Sequence, residues 1–302
     1  MRILLTGKNG QVGFELRRSL SVLGEVHAVG SAECRLEDEA GLRRLVAEYR
    51  PDVIVNPAAY TAVDKAESDV AQAEAVNARA PAILAEAASS LGALLVHFST
   101  DYVFDGTQSQ PYTETDTPNP QSVYGATKFA GERAIQSAWA RHLLLRTSWV
   151  VGLHGGNFAK TMLRLGAERD ALGIVSDQFG SPTSAALLAD VTAHLVRQAM
   201  RTEAGERFPY GLYNATAGGE TNWHEYACHV LARARSAGLP VRVAPEAIRP
   251  VTTSEYPTPA RRPANSRLDT TKLRETFGLR LPDWRDGVDH ILNQLFDVRH
   301  DD

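Results

Sequence analysis

The chain has 302 residues, 43% of them hydrophobic and 23% charged, with a net charge of -4. That length can bury the core of one large α/β domain with a smaller lobe, without disulfides or metals to hold it. The slightly acidic balance argues against nucleic acid as a partner, and only two cysteines, Cys34 and Cys228, occur; they form neither a disulfide framework nor a metal-ligand cluster, so no metal is expected and a cytoplasmic location is. The opening apolar run, Ile3 to Leu5, is too short for a signal peptide, and Gly92 to Phe98 is too short to cross a bilayer, so no membrane partner is expected.

Along the chain, short β-type runs alternate with helical patterns, the mark of a parallel sheet covered by helices. Strands are predicted at Arg2 to Thr6, Glu25 to Val29, Val53 to Asn56, Leu94 to Ser99 and Leu143 to Thr147. Helices are predicted at Gln11 to Leu23, Glu39 to Tyr49, Asp69 to Leu91 and Ala126 to Ser137. The order predicts a Rossmann-type α/β fold with a doubly wound parallel sheet. After about Val151 the pattern loosens, and the proline-dense stretches Gln110 to Gln121 and Arg249 to Pro263 are expected to be ordered loops over a cleft. The expected division assigns residues 1–150 and 176–200 to a dinucleotide-binding domain, and 151–175 and 201–302 to an interleaved substrate lobe.

Three constellations carry chemistry. Gly7-Lys8-Asn9-Gly10-Gln11-Val12-Gly13 follows the first strand and opens a helix; glycines there permit a sharp turn and close approach of backbone to a pyrophosphate, which the helix N-terminus attracts. Tyr124 and Lys128 are spaced to share one face of a helix. A phenol titrates near pH 10 in water, and a neighbouring ammonium stabilises its anion, so the pair can serve proton transfer. Thr100 and Asp101 follow an apolar strand at its carboxyl end, where open α/β sheets bind ligands. Ser31, after the second strand, brings a hydroxyl and no charge, while Lys8 and Arg35 are candidates to face a 2′-phosphate; Glu33 is the one acidic candidate for the ribose. NADPH is therefore expected to be used at least as well as NADH.

The chain resembles the extended short-chain dehydrogenase/reductases and, within them, the dTDP-4-dehydrorhamnose reductases. The likeness covers almost the whole length, through Thr6 to Gly13, Arg50 to Glu67, Ser99 to Gly106, Tyr124 to Gly131, Arg146 to Val150, Asp177 to Thr183 and Arg262 to Asp269. The resemblance implies hydride transfer to the C4 ketone of dTDP-4-dehydro-L-rhamnose, with Tyr124 as general acid, Lys128 holding the nicotinamide ribose and lowering the tyrosine pKa, and Thr100 bonding the carbonyl oxygen. It implies that Asn56, Ala58, Ala59 and Tyr60 line the cofactor and that Asp101, Tyr102 and Trp149 lie beside the sugar. Asn157, Phe158, Gln178 and Pro182 are expected around the nucleotide sugar, and Arg262 at its diphosphate. Two positions depart from the family pattern: Pro57 follows Asn56 where alanine is usual, and Arg35 stands in the segment after the second strand where an acidic residue is expected. A reductase or epimerase of another nucleotide sugar, a non-catalytic dinucleotide-binding subunit like the regulatory subunit of methionine adenosyltransferase, and a homodimer all stay open.

Overall fold

A computed structural model describes residues 1–202 and 207–300, with side chains up to residue 297. The first half forms β1 (Arg2–Leu5), α1 (Gln11–Ser21), β2 (Glu25–Ala28), α2 (Glu39–Tyr49), β3 (Val53–Asn56), α3 (Val63–Ala66), α4 (Val70–Glu74), α5 (Ala80–Leu91), β4 (Leu94–Thr100), α6 (Val123–Ala138) and β5 (His142–Thr147). The second half adds β6 (Val150–Val151), α7 (Phe158–Glu168), β7 (Leu172–Val175), β8 (Phe179–Gly180), β9 (Thr183–Ser184), α8 (Ala185–Arg201), β10 (Gly211–Asn214), β11 (Thr221–Asn222), α9 (Trp223–Ser236), β12 (Ile248–Val251), α10 (Thr271–Phe277) and α11 (Trp284–His300).

The main sheet is parallel throughout, in the order β10-β5-β4-β3-β1-β2. Its central strands β1, β3, β4 and β5 are buried on both faces, so their runs are mostly apolar and successive residues feed opposite layers. Ile3, Leu5, Val53, Val55, Val96 and Leu145 pack with Leu16 and Leu20 of α1 and Leu188 and Leu195 of α8. Leu4, Ile54, Leu95 and Leu144 pack the other way, against Leu42 and Val46 of α2 and Ile83 and Leu84 of α5. A separate core joins α7, α9 and α11 to β7 and β12 through Met162, Tyr226, Leu231, Trp284 and Leu292.

Four expectations change. The helix expected over Asp69 to Leu91 is α4, one wide turn of π-helix (Ala75–Arg79) and α5. Pro81 has no N–H to offer the carbonyl of Asn77, and the wide turn presents the Asn77 side chain to the backbone of Tyr60 and to Thr127 Oγ1. Helix α6 starts at Val123 rather than Ala126 because Ser122 Oγ accepts from Gly125 N at 3.1 Å and caps it. The stretch read as a loop from Arg249 begins as β12, which pairs in parallel with β7; Pro250 is tolerated in a two-stranded ribbon whose strands are both edges. Finally, part of the region 201–302 joins the main sheet and its core. Gly211–Asn214 adds the sixth strand beside β5, and Leu273 and Phe277 of α10 belong to the core under the sheet. Residues 203–206, 301 and 302 of that expected lobe lie outside the described residues.

Candidate active site

β1 runs straight into the glycine turn. Gly7 adopts φ of 63°, and a Cβ there would lie 2.8 Å from that of Ala58. On Gly13 a Cβ would come within 2.0 Å of Gly7 O, so only glycine lets α1 begin this close to β1. Gly10 precedes α1 with no side-chain cap, leaving the first helical N–H groups free for an anion. The turn borders a cleft of about 520 Å³ outside the carboxyl ends of the strands, at the switch between β1 and β3. Ser99 Oγ and Thr147 Oγ1, on residues that line it, are buried with no partner among the described residues. Such atoms can be satisfied by a ligand, and with the glycine cradle and the open helix end they fit a dinucleotide. Sequence reasoning missed both hydroxyls, because a lone Ser or Thr at a strand end carries no motif.

Gly7, Asn9, Gly10, Gln11, Val12, Gly13, Ser31, Ala58, Ala59, Tyr124 and Lys128 all line this cleft. Four expected cofactor residues do not. Lys8 Nζ bonds Glu33 Oε1 at 2.5 Å, beside the end of β2, where Glu33 Oε2 also accepts from Gly30 N at 2.8 Å. The exposed Arg35 is paired with Glu37, two residues on, which itself lines the cleft. Asn56 is fully buried below the floor, bonded to Thr6 and His97. Tyr60 donates its hydroxyl to Asp69 Oδ2 at 3.0 Å on the outer side of the loop.

At the mouth of β4 and α6 the reacting groups converge. Lys128 is 2% exposed, and its Nζ donates to Phe98 O at 2.6 Å and lies 3.2 Å from His97 Nε2. Burial pulls its pKa down to about 8, against the opposing charge of Glu132. Tyr124 is driven well above the usual phenol range by burial, partly offset by a hydrogen bond with the Thr100 side chain. The expected lowering by Lys128 is therefore not present in this arrangement, because the ammonium is directed at Phe98 O and His97 instead. Thr100 Oγ1 donates to Asp101 Oδ1 at 3.0 Å and accepts from Tyr102 N at 3.2 Å. Burial pushes the Asp101 carboxyl up to about 6, with its Oδ2 unpartnered among the described residues.

The Tyr124 and Tyr102 rings meet edge to face at 5.4 Å. This contact depends on Gly125, where a Cβ would lie 2.1 Å from Tyr102 O. Tyr102 opens onto a second cleft of about 590 Å³, also lined by Asp64, Phe158, Gln178, Trp223 and Arg262. Of the residues expected around the nucleotide sugar, Tyr102, Phe158, Gln178 and Arg262 are brought together in this cleft; Asp101, Trp149, Asn157 and Pro182 do not line it. Trp149, at φ of 47°, stacks behind Trp223 at 3.6 Å and supports that ring from below. Asn157 caps α7 through Lys160 N and donates to Gln11 Oε1 at 3.0 Å, which ties α7 to the glycine turn. Pro182 is buried between β8 and β9. Arg262 donates to Tyr102 Oη at 2.9 Å and to Asp64 Oδ2 at 2.7 Å. Trp223 was not foreseen; one tryptophan opening a helix has no sequence signature.

Comparison with known proteins gives a consistent result. Residues 1–296 match the family model described as the RmlD substrate binding domain. The dTDP-4-dehydrorhamnose reductase of Escherichia coli (strain K12) is 50% identical over 300 residues, covering 98% of each chain. That of Burkholderia thailandensis is 50% identical over 295 residues, covering 98% of this chain and 99% of its own. Among solved structures, the dTDP-4-dehydrorhamnose reductase of Clostridium acetobutylicum superposes with a TM-score of 0.88 at 37% identity, covering 98% of this chain and 99% of that one. The enzyme from Bacillus anthracis, solved in complex with NADP, gives 0.87 at 34% identity, covering 97% and 99%. The chain belongs to the dTDP-4-dehydrorhamnose reductase family.

Proposed function

We propose that the chain reduces the C4 ketone of dTDP-4-dehydro-L-rhamnose to dTDP-L-rhamnose, using NADPH or NADH. The observation that carries this reading is the meeting of two clefts at the Tyr102 and Tyr124 rings, one built on a glycine turn and the other on aromatic rings and Arg262. A reduced nicotinamide dinucleotide, when bound in the first cleft, supplies the hydride. Tyr124 Oη supplies the proton to the ketone oxygen; a phenol held above its usual range is fully protonated at neutral pH and ready to donate. Thr100 steadies the same oxygen once its one hydroxyl hydrogen turns from Asp101 Oδ1, and Lys128 favours the phenolate left behind once its ammonium turns from Phe98 O. Tyr102 faces the sugar, Phe158 and Trp223 the base, and Arg262 the diphosphate, for which it must release Asp64.

Lys8 and Glu33 sit together at the end of β2, so a ribose hydroxyl finds an acceptor there and a 2′-phosphate finds a cation. The hydrogen bond from Lys8, then that from Gly30 N, holds the Glu33 carboxyl below its usual range. NADPH is expected to serve at least as well as NADH. On this reading residues 1–150 and 176–200, together with β10, form the cofactor part. Cys34 and Cys228 are both free, which supports a cytoplasmic location.

The test is to follow oxidation of either cofactor spectrophotometrically with a panel of 4-keto sugar nucleotides. Turnover with the dTDP-4-dehydro-L-rhamnose substrate, lowered roughly a hundredfold in Tyr124→Phe while cofactor still binds, is expected. Cofactor binding without turnover on any of the panel would sink the enzymatic reading, and faster turnover on another sugar nucleotide would redirect it.

A further inference from the structure

Beneath the floor of the first cleft runs a closed polar chain: Thr6 after β1, Asn56 in β3, His97 in β4 and Lys128 in α6. All four are essentially buried. Thr6 Oγ1 bonds Asn56 Oδ1, Asn56 Nδ2 lies 3.0 Å from His97 Nδ1, and His97 Nε2 lies 3.2 Å from Lys128 Nζ. Burial first, and the Lys128 charge second, hold the imidazole well below its usual range, so it is neutral and carries one N–H.

A ring with one donor and one acceptor nitrogen allows the chain two directions. When Lys128 is an ammonium donating to Nε2, the ring proton sits on Nδ1, the Asn56 carbonyl accepts it, and the amide NH₂ turns to Thr6. In the other direction the Asn56 NH₂ donates to Nδ1, the ring proton sits on Nε2 and points at Lys128, which accepts as a free amine; separations of 3.0 and 3.2 Å accommodate both directions. A half-turn of the Asn56 amide interchanges the two, and its oxygen and nitrogen occupy equal space.

We propose that His97 and Asn56 are positioning residues that couple the direction of this hydrogen-bond chain to the charge on Lys128, so that the lysine keeps a partner with or without its extra proton. In the change from ammonium to amine one N–H is lost at Lys128 Nζ and one at His97 Nδ1, one forms at Nε2, and the single proton released is taken up by water at the cleft. In the reaction proposed above, on which the kinetic consequence rests, Tyr124 regains a proton after each turnover, and Lys128, one helical turn away in the same cleft, can supply it. The charged and titratable groups around the pair are Glu132 and Tyr124 from α6, Asp101 and Tyr102 from the turn after β4, and Arg146 from β5, which Glu132 holds at 2.8 and 2.6 Å. β1 and β3 face it with the neutral Thr6 and Asn56.

The test is an NMR titration of the ligand-free protein, with ring-labelled histidine and ε-labelled lysine. The His97 ring is expected to stay neutral and to pass from Nδ1–H to Nε2–H over the same pH interval in which Lys128 loses its proton; Lys128→Met abolishes the passage. In Asn56→Asp, where both side-chain oxygens accept, the ring stays Nδ1–H, and the Lys128 midpoint rises by about one pH unit or more, carrying the alkaline limb of kcat upward. A wild-type tautomer that does not change while Lys128 titrates overturns the proposal, and so does an Asn56→Asp ring that still passes to Nε2–H. Because the titration needs no substrate, coupled titration in a protein that reduces no sugar nucleotide refutes the function alone, and turnover without coupling refutes the coupling alone.

Discussion

At the scale of single residues the second cleft is governed by commitments that the free chain has already made. Arg262 spends one guanidinium edge on Tyr102 and Asp64, yet a planar guanidinium still fits a diphosphate once Asp64 lets go. Arg262→Ala is expected to raise KM for the sugar nucleotide by roughly tenfold or more and to leave KM for the cofactor nearly unchanged; steady-state kinetics with each ligand varied decides it, and equal effects on both would remove the role. Asp101 gives a pH signature. Its folded pKa, about 6, lies above the usual 3.8 because of burial. The folded chain therefore holds the proton longer, and stability is lost as pH rises through the window between those values. Asp101→Asn carries no charge and escapes this loss. Relative to wild type it should gain on the order of 1–3 kcal/mol between pH 4 and pH 7, read from urea midpoints. A gain that is the same at both pH values contradicts the assignment.

At the scale of elements, the placement of α6 matters most, because it carries Tyr124 and Lys128. Ser122 caps its start and Gly125 lets it touch the turn after β4. One turn beyond Lys128, Glu132 binds Arg146 of β5 through two hydrogen bonds, with side chains 1% and 2% exposed. Removing one partner leaves the other charge buried and alone, so Arg146→Met should cost about 3–5 kcal/mol in denaturant unfolding. Replacing both by apolar residues of similar volume should restore much of that loss. A single-variant cost under about 1 kcal/mol would show that water reaches the pair.

At the scale of the molecule, the sheet and the helical lobe have separate cores, and the two clefts lie where they face each other. A ligand that binds only the folded chain stabilises it by mass action. Dinucleotide at a hundred times its Kd should add about 2.7 kcal/mol, and the sugar nucleotide should add more on top. Thermal unfolding at rising concentrations of each ligand checks this, and a midpoint indifferent to dinucleotide would exclude the first cleft as its site.

Much of this architecture is written locally. The strands β1 to β5 appear within one residue of their predicted ends, and α2 and β3 have the predicted bounds, because apolar periodicity and glycine or proline stops act over a few neighbours. The glycine turn and the Tyr124/Lys128 spacing are local for the same reason, so the centre of the first cleft was legible. What the sequence could not determine was the partner of each polar side chain. Asn56 faces His97 across 41 residues, Arg262 reaches Asp64 across 198, and Asn157 reaches Gln11 across 146. Lys8 and Arg35 meet carboxylates before any phosphate, and Trp149 stands behind Trp223 rather than in the cleft. The return of β10 to the sheet was hidden likewise: a four-residue strand acquires its identity only from the neighbour it pairs with, and that pairing exists only in the folded chain.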